Sequence, residues 1–316
     1  MESLPDAVIG HLRETITVPD FSGTRYELLG EIGRGGMGTV YAGLDKQLNR
    51  RVAIKILNVI DYDGQAAERI TEEARTLARL EHPGIVPVHD LGELPDGRFY
   101  YAMKLVEGTP LDRYVAAHTG LAEILRVFMR ICETVAFAHS HGITHRDLKP
   151  QNMMVGPFGE VLVMDWGVAK ITGTTREFPK TNHPRGATAQ GTAIGTPGYM
   201  APEQMAGTTD EVDQRSDIYS LGKTLETMLL SSGGQVPRRL RAIWEKAAAH
   251  GRAHRYASVE ELSTDIERFR SGEPVSAYRE TVVERMGRVL AKNRALALLV
   301  AAYLVMRVVL LFLLHR

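Results

Sequence analysis

Short apolar runs separated by turn-forming residues mark the first hundred positions, a pattern typical of β-strands. Apolar and β-branched side chains dominate residues 26–32, 39–44, 52–57 and 98–106, and each run has the length of an ordinary strand. A further apolar run, 161–164, follows much later in the chain. The pattern predicts a strand-rich beginning and one additional strand far downstream.

Other stretches carry apolar residues three and four positions apart, which places these side chains on one face of an α-helix. This spacing occurs in residues 66–80, 121–140 and 237–249. One helix is therefore predicted among the first strands, and the others after them.

The most apolar segment is 295–314, where Arg307 is the only charged side chain. Twenty apolar residues suffice to cross a hydrocarbon core of about 30 Å as a helix. Arg307 costs about 2.5–3.5 kcal/mol at the membrane centre, whereas each Leu, Val or Phe returns about 0.3–0.6 kcal/mol. The sum favours insertion, and a final helix packed on the protein or on a partner is the alternative.

Residues 279–294 carry five basic and two acidic side chains, and basic residues collect on the cytoplasmic side of a span. We therefore expect a single-pass protein of the cell membrane whose larger part faces the cytoplasm. Only His315 and Arg316 follow, and the first 25 residues have no apolar leader core. We expect neither a domain beyond the membrane nor a signal peptide.

Composition adds two limits. The 316 residues include 38 basic and 38 acidic side chains, so no nucleic-acid partner is expected. The single cysteine, Cys132, excludes an internal disulfide and a cysteine-based zinc site. It lies in the predicted helix 121–140 and is interpreted as a small core residue.

Candidate chemistry is concentrated in residues 145–152, His-Arg-Asp-Leu-Lys-Pro-Gln-Asn. Asp147 can accept a proton, Lys149 can hold a phosphate, and Asn152 can bind a metal ion. Phosphoryl transfer depends mainly on positioning and charge neutralisation, and it uses groups of these kinds.

A glycine-rich segment, 33–40, lies between the first two predicted strands and fits the pattern G-x-G-x-x-G-x-V. Glycines let the backbone approach phosphates closely. The pattern also occurs in Rossmann turns and plain hairpins, but no helix is predicted after the third glycine, which argues against a Rossmann turn.

Lys55 lies inside the third predicted strand. Taken alone, it is equally well explained by a lysine that snorkels from a strand edge. The helix predicted next carries Glu72 and Glu73, which do not share a helix face because they are adjacent.

In their order, these motifs resemble the eukaryotic-like Ser/Thr protein kinases, in the form found in bacteria. Three further motifs extend the resemblance: Asp165-Trp166-Gly167, the segment 195–203 (Gly-Thr-Pro-Gly-Tyr-Met-Ala-Pro-Glu) and the segment 217–222 (Asp-Ile-Tyr-Ser-Leu-Gly). The family's usual triplet is Asp-Phe-Gly. Tryptophan can fill the same apolar space as phenylalanine, but its indole N–H needs a partner.

The resemblance implies an α+β, two-lobed protein kinase fold, with a β-rich N-lobe that holds one helix (26–106) and a mainly helical C-lobe (107–272). An N-terminal extension (1–25) precedes the lobes. A basic juxtamembrane segment (273–294) and the hydrophobic helix (295–314) follow them.

The C-lobe is expected to be shortened after Gly222. Asp217 and Arg255 are separated by only 38 positions, where family members normally carry a further helix that docks substrates and partners. This shortening leaves the catalytic motifs intact.

The resemblance also implies ATP and Mg²⁺, with Mn²⁺ as the alternative ion. Asp147 would be the catalytic base, Lys149 would neutralise the γ-phosphoryl group, and Lys55, held by Glu73, would grip the α- and β-phosphates. Asn152 and Asp165 would bind the metal. The other residues expected to contact ATP are Ile32, Gly33, Arg34, Gly35, Gly36, Met37, Gly38, Val40, Ala53, Met103 as gatekeeper, Lys104, Val106 and Met154.

Further family roles fall on the activation segment and the C-lobe. Thr188 and Thr192 are the candidate autophosphorylation sites, and Arg146 is expected to receive such a phosphate. Thr196 would contact Asp147 and Lys149 and so select Ser/Thr acceptors. Three charged residues are expected to be structural: Glu203, Asp217 and Arg255.

The leading hypothesis is a Ser/Thr protein kinase of bacterial signalling that acts on protein substrates and phosphorylates its own activation loop, with a homodimer promoting phosphorylation in trans. One alternative is a nucleotide-binding pseudokinase scaffold, against which the intact Lys55, Asp147, Asn152 and Asp165 argue. Another is a small-molecule phosphotransferase of related fold. Such enzymes lack the Ala-Pro-Glu segment at 201–203, which disfavours this alternative.

Overall fold

A computed structural model describes residues 19–35, 38–60, 71, 74–75, 77–117, 120–166, 198–206, 212–231, 233–286, 302–303, 305–307 and 310–311. The chain divides into two compact units. One consists of Met1–Tyr114 and His141–Pro197, and the other of Val115–Ser140 and Gly198–Arg316.

The first unit is built on a five-stranded antiparallel sheet of order β1-β2-β3-β5-β4. The strands are β1 (Tyr26–Gly35), β2 (Gly38–Asp45), β3 (Arg50–Ile60), β4 (Val88–Glu93) and β5 (Arg98–Lys104). Four of them confirm predicted strands. Strand β4 is not predicted by the apolar pattern, because this edge strand is polar and only half-buried.

Alternation along the strands gives the sheet two apolar faces. Val52, Ile54 and Ile56 of β3 pack with Phe21 and other buried side chains into one core cluster. Leu57 packs with Phe99 and Tyr101 into a second cluster, which also includes Leu77. The predicted helix 66–80 is represented by residues 71, 74, 75, 77 and 78, and residues 79 and 80 lie beyond its end.

A small antiparallel sheet of order β6-β7-β8 completes the described part of this unit. Its strands are β6 (Thr109–Pro110), β7 (Met153–Val155) and β8 (Val161–Val163). The Val163 N–H donates to the Gly84 carbonyl at 2.8 Å, which ties β8 to the segment before β4. Helix α1 (Leu111–Ala117) follows β6 directly.

The second unit contains α2 (Leu121–Ser140), α3 (Pro202–Met205), α4 (Gln214–Ser231), α5 (Arg238–Ala247) and α6 (Val259–Arg270). Helix α2 has the predicted bounds, and its buried residues recur every three to four positions, with Cys132 among them. It packs on α4 and α6, and α5 packs on the same two helices.

Helix α4 leads to α5 with no helix among the described residues between Ser231 and Arg238, and the shortening expected after Gly222 relative to the family stays a prediction. Helix α5 begins one residue later and ends two residues earlier than predicted. Only residues 302–303, 305–307 and 310–311 of the predicted membrane span are described, and they are helical. Within the described part of the chain, no helix has the length and apolarity needed to cross a membrane.

Candidate active site

Strand register aligns the glycine-rich segment with Lys55. Gly33 on β1 pairs with Val40 on β2, and Val40 pairs with Lys55 on β3. Ala53 lies two positions before Lys55, on the same face of β3, and pairs with Met103 on β5. Because neighbouring strands lie about 4.8 Å apart, these predicted ATP residues form two adjacent rows of one sheet.

The packing of this sheet requires glycine at position 38. A Cβ atom there would lie 2.0 Å from the Ile56 carbonyl oxygen, and this backbone atom cannot move away to make room. Gly33, Arg34 and Gly35 belong to β1, where Arg34 forms an exposed ion pair with Glu31 at 2.7 Å. Ile32 of the same strand is exposed. Gly36 and Met37 lie outside the described residues.

Lys55 is buried, and its ammonium group lies 2.7 Å from Oδ1 of Asp165. Burial by itself would lower the pKa of Lys55, but Tyr101 and Asp165 outweigh that effect, and the pKa is raised. Lys55 is therefore a cation at neutral pH. Glu73, its predicted partner, lies outside the described residues, so their pairing stays a prediction.

The catalytic octapeptide holds Asp147 between two side chains. Lys149 Nζ lies 3.0 Å from Asp147 Oδ2, and Asn152 Nδ2 donates to the Asp147 carbonyl at 2.8 Å and to Oδ2 at 3.2 Å. A 3₁₀ turn over Pro150–Asn152 brings Asn152 back to Asp147, and a proline at its first position suits the start of such a turn. These three predicted site residues therefore form one cluster.

His145 links this cluster to the strand that leads to Asp165. The imidazole is fully buried, its Nδ1 lies 3.2 Å from the Asp147 N–H, and its Nε2 lies 2.9 Å from the Met164 carbonyl. Since the backbone N–H can only donate, Nδ1 is the acceptor, and Nε2 carries the proton. No role is predicted for His145 from the sequence, and its place at the head of the octapeptide is the signal that could have indicated one.

Two non-glycine residues of the site have left-handed backbone conformations, Arg146 at φ 65° and Asp165 at φ 57°. This conformation costs an ordinary residue about 1–2 kcal/mol, and such residues cluster where the surroundings hold them for function. The Met164 N–H donates to the Asn152 carbonyl at 2.8 Å. The two predicted metal ligands are therefore connected through the backbone next to Asp165.

These two side chains suit a hard cation such as Mg²⁺, which takes oxygen ligands from one or two carboxylates and from substrate phosphates. The Asn152 amide nitrogen is committed to Asp147, which leaves its amide oxygen for a cation. The Asp165 side chain is 41% exposed, and Lys55 contacts one of its two oxygens. The donor set therefore fits the predicted metal.

Lys104 ends β5, and its N–H donates to the Pro87 carbonyl at 3.1 Å. Its predicted contact with ATP stays a prediction. Val106 is half-buried beyond the end of β5, and Met154 is half-buried on β7.

Trp166 occupies the family's phenylalanine position. It is buried, its indole Nε1–H donates to the Val163 carbonyl at 2.9 Å, and its ring centroid lies 4.8 Å from that of His145. The partner that the indole was predicted to need is therefore present, three residues back along the chain.

In the second unit, Arg255 Nη1 and Nη2 lie 2.7 and 2.9 Å from the two oxygens of Glu203. Ser216 also donates to Glu203 at 2.7 Å. Burial would raise the pKa of Glu203, but the hydrogen bonds from Arg255 and Ser216 outweigh that effect and lower the pKa to about 2. Three backbone carbonyls accept from the same guanidinium: those of Arg215, Ala249 and His250.

Asp217, the third predicted structural residue, lies buried beside His139, with 2.8 Å between Oδ2 and Nε2. The structural role expected for Asp217 stays a prediction. The activation-segment residues Thr188, Thr192 and Thr196 lie outside the described residues.

Residues 26–273 match the family described as protein kinase domain. Together with the β-sheet unit, the helical unit and the Asp147 cluster, this match shows that the chain belongs to the protein kinase family.

Among curated proteins, the serine/threonine-protein kinase PknD of Chlamydia trachomatis serovar D is 34% identical over 83% of this chain and 33% of its own length. PknD of Protochlamydia amoebophila is 33% identical over 78% of this chain and 30% of its own length. The chain thus spans about a third of these relatives.

Among solved structures, the kinase domain of Mycobacterium tuberculosis PknI matches with a TM-score of 0.59 and 25% identity, over 79% of this chain and 96% of that domain. These relatives confirm the bacterial Ser/Thr form of the family that the motifs indicated.

Proposed function

We propose that this chain is an active Ser/Thr protein kinase of bacterial signalling, which transfers the γ-phosphate of ATP to Ser or Thr hydroxyls of proteins. The observation that carries this proposal is the Asp147 cluster, in which a partly exposed carboxylate is held by Lys149 and Asn152 within 3.2 Å. A carboxylate so held can orient a hydroxyl group and accept its proton.

In the proposed reaction, the acceptor hydroxyl gives its proton to Asp147 as its oxygen attacks the γ-phosphorus. The new P–O bond forms as the bond to the β-phosphate oxygen breaks, and ADP leaves. Lys149 lies next to the carboxylate and offsets the negative charge on the transferred group.

Lys55 and the glycine-rich backbone of β1 and β2 would hold the α- and β-phosphates, with Glu73 supporting the lysine. Asn152 and Asp165 would hold Mg²⁺, or Mn²⁺ in its place, and a divalent ion there would neutralise charge on the β- and γ-phosphates. Their carboxylate and amide oxygens support this assignment.

Phosphate incorporation from γ-labelled ATP and Mg²⁺ into the full chain, into a generic protein acceptor and into small alcohols tests the proposal. The Asp147→Asn variant is run beside it. We expect label on protein Ser and Thr only, and about 100-fold less or lower still with the variant. Measurable ATP binding without transfer would instead indicate a pseudokinase, and label on alcohols alone would indicate a small-molecule phosphotransferase.

Mapping the label within the chain tests the activation segment. We propose Thr188 and Thr192 as autophosphorylation sites and Thr196 as the residue that selects Ser/Thr acceptors. Their support is the family's arrangement, in which Arg146 receives the phosphate. Substituting Thr188 and Thr192 by Ala is expected to remove most label from the chain while transfer to another protein persists at a lower rate.

We further propose that residues 295–314 anchor the protein in the cell membrane as a single-pass helix, with the juxtamembrane segment 273–294 and the kinase lobes (26–106 and 107–272) in the cytoplasm. Apolarity and the flanking basic residues support this localisation. Anchoring raises the effective concentration and favours phosphorylation in trans within a homodimer. Extraction of bacterial membranes with alkaline carbonate checks it, because an integral anchor resists extraction and a packed helix does not.

A further inference from the structure

The indole N–H of Trp166 makes a hydrogen bond that reaches back along the chain past Asp165, the predicted metal ligand. Its donor is the Trp166 Nε1–H and its acceptor is the carbonyl of Val163, the last residue of β8. Asp165 lies between them in the chain. The side chain of Trp166 therefore closes a short loop around the one residue here whose backbone is left-handed, at φ 57°.

The backbone before Asp165 is held on several sides. The N–H groups of Val163 and Met164 donate to the carbonyls of Gly84 and Asn152, each at 2.8 Å. The Met164 carbonyl lies 2.9 Å from His145 Nε2. Trp166 adds a hydrogen bond to the Val163 carbonyl. Phenylalanine, the family's usual residue at this position, cannot make this bond because its side chain has no donor.

The ring of Trp166 packs against that of His145, in addition to the hydrogen bond made by its N–H. Trp166 and His145 are both buried, with ring centroids 4.8 Å apart and a tilt of 53° between their planes. His145 in turn accepts the Asp147 N–H at Nδ1. The tryptophan ring thus packs against the imidazole that accepts the Asp147 N–H and lies beside the Met164 carbonyl.

We propose that Trp166 is a positioning residue whose indole N–H, through its bond to the Val163 carbonyl, holds Asp165 in the left-handed conformation that keeps its carboxylate beside Lys55. This inference rests on the proposed function, in which Asp165 binds the metal. The bond keeps more of the protein in the metal-competent arrangement, and the apparent affinity for a ligand falls in proportion to any loss of that fraction.

The decisive change removes the N–H and keeps the ring. Trp166→Phe does this with a smaller ring. A closer isostere is available, because the chain has only two tryptophans. In a Trp244→Phe background, Trp166 is the remaining tryptophan, and biosynthetic replacement by β-(3-benzothienyl)alanine puts sulfur in place of the N–H at nearly the same shape. Trp244→Phe, a buried change on α5 in the other unit, is the matched control.

The readout is equilibrium binding of a non-hydrolysable ATP analogue to the full chain, titrated with Mg²⁺ and also measured without it. Both forms lacking the N–H are expected to bind the analogue about 2- to 10-fold more weakly in the presence of Mg²⁺, the range set by one neutral hydrogen bond. Binding without Mg²⁺ is expected to stay unchanged, because Lys55 and the glycine segment remain. Trp244→Phe is expected to change neither.

An indole ¹⁵N–H resonance in the Trp244→Phe background gives an independent check, since a hydrogen-bonded buried N–H exchanges slowly with solvent. The proposal is overturned if the benzothienyl form keeps unaltered Mg²⁺-dependent binding, or if it loses binding equally with and without Mg²⁺. A parent chain that fails to bind the analogue with Mg²⁺ at all would instead refute the proposed function.

Discussion

Two clusters of opposite charges in this protein contain similar groups and use them differently. Lys149 and Asp147 keep side-chain exposures of 21% and 26%. Arg255 and Glu203 have 0% and 4%, and the guanidinium is further bonded to three backbone carbonyls. The first cluster leaves charge accessible to a ligand, whereas the second saturates its charges within the fold.

The difference follows from the cost of burying charge. An ion taken from water must have its hydrogen-bonding capacity satisfied by the protein, or the fold loses several kcal/mol. Glu203 and Arg255 meet that condition and so have little capacity left for chemistry. Asp147, the proposed catalytic base, meets this condition only in part, since its side chain keeps an exposure of 26%. Substitutions should therefore separate the two clusters into losses of activity and losses of stability.

Asp147→Asn tests the accessible cluster and should have the largest effect. The amide keeps the shape but accepts no proton, so the rate of phosphate transfer is expected to fall about 100- to 10,000-fold, the usual contribution of a general base. Thermal unfolding should stay close to that of the parent protein. Asp112→Asn, in the first turn of α1, is the control. A rate near that of the parent protein would refute the role of Asp147.

Glu203→Gln tests the saturated cluster. It leaves a buried guanidinium without its carboxylate, and removing one partner of a buried pair costs about 3–5 kcal/mol. Denaturant unfolding followed by circular dichroism measures this free energy. Glu267→Gln breaks an exposed pair with Arg270 on α6, which is expected to cost at most about 1 kcal/mol. Equal effects of the two substitutions would contradict the contrast between saturated and accessible charges.

Low pH should remove the stabilisation that the Glu203 carboxylate contributes to the parent protein. The pKa of Glu203 is lowered from 4.5 to about 2 in the fold, so its contribution is present above about pH 4.5 and is lost as the pH falls towards 2. The shift corresponds to about 3 kcal/mol. The difference in the free energy of unfolding between the parent protein and Glu203→Gln is therefore expected to be smaller at pH 3 than at pH 6. An equal difference at the two pH values would contradict the lowered pKa.

A smaller effect on stability is expected from substitution in residues 276–277, which follow the end of the family match at residue 273. Buried Asp265 accepts from the Tyr256 hydroxyl at 2.9 Å, from the Ser276 hydroxyl at 2.8 Å and from the N–H groups of Ser276 and Ala277 at 2.7 and 3.0 Å. Burial would raise the pKa of Asp265, but these bonds outweigh that effect and lower it. Residues 276–277 are thereby fixed to α6.

Ser276→Ala removes one of these bonds and is expected to cost about 0.5–1.5 kcal/mol. Hydrogen exchange at the Ala277 amide should become faster, because the segment opens more often. Thr264→Ala, which removes a hydroxyl bonded within α6 at an exposed position, should leave that amide unchanged. If both variants exchange alike, Asp265 does not fix the segment.

Several features were predictable from the chain. The strands flanking the glycine-rich segment and helix α2 follow from the pattern of apolar positions, which local geometry dictates. The catalytic octapeptide is also local, because a 3₁₀ turn joins Asp147 and Asn152 across five positions. Edge strand β4 escaped prediction because an exposed edge needs no alternation of apolar residues.

By itself the sequence determined the family and predicted several of the strands and helices and the candidate catalytic groups, since these depend on short motifs and on periodicity. Only the tertiary structure decided which partner each polar group takes. His139 meets Asp217 across 78 positions, and Lys55 meets Asp165 across 110. Even the three-residue bond from Trp166 to Val163 depends on a left-handed turn at Asp165. Hydrogen bonds require placement within a few tenths of an ångström, and that placement is set by the packing of the whole unit.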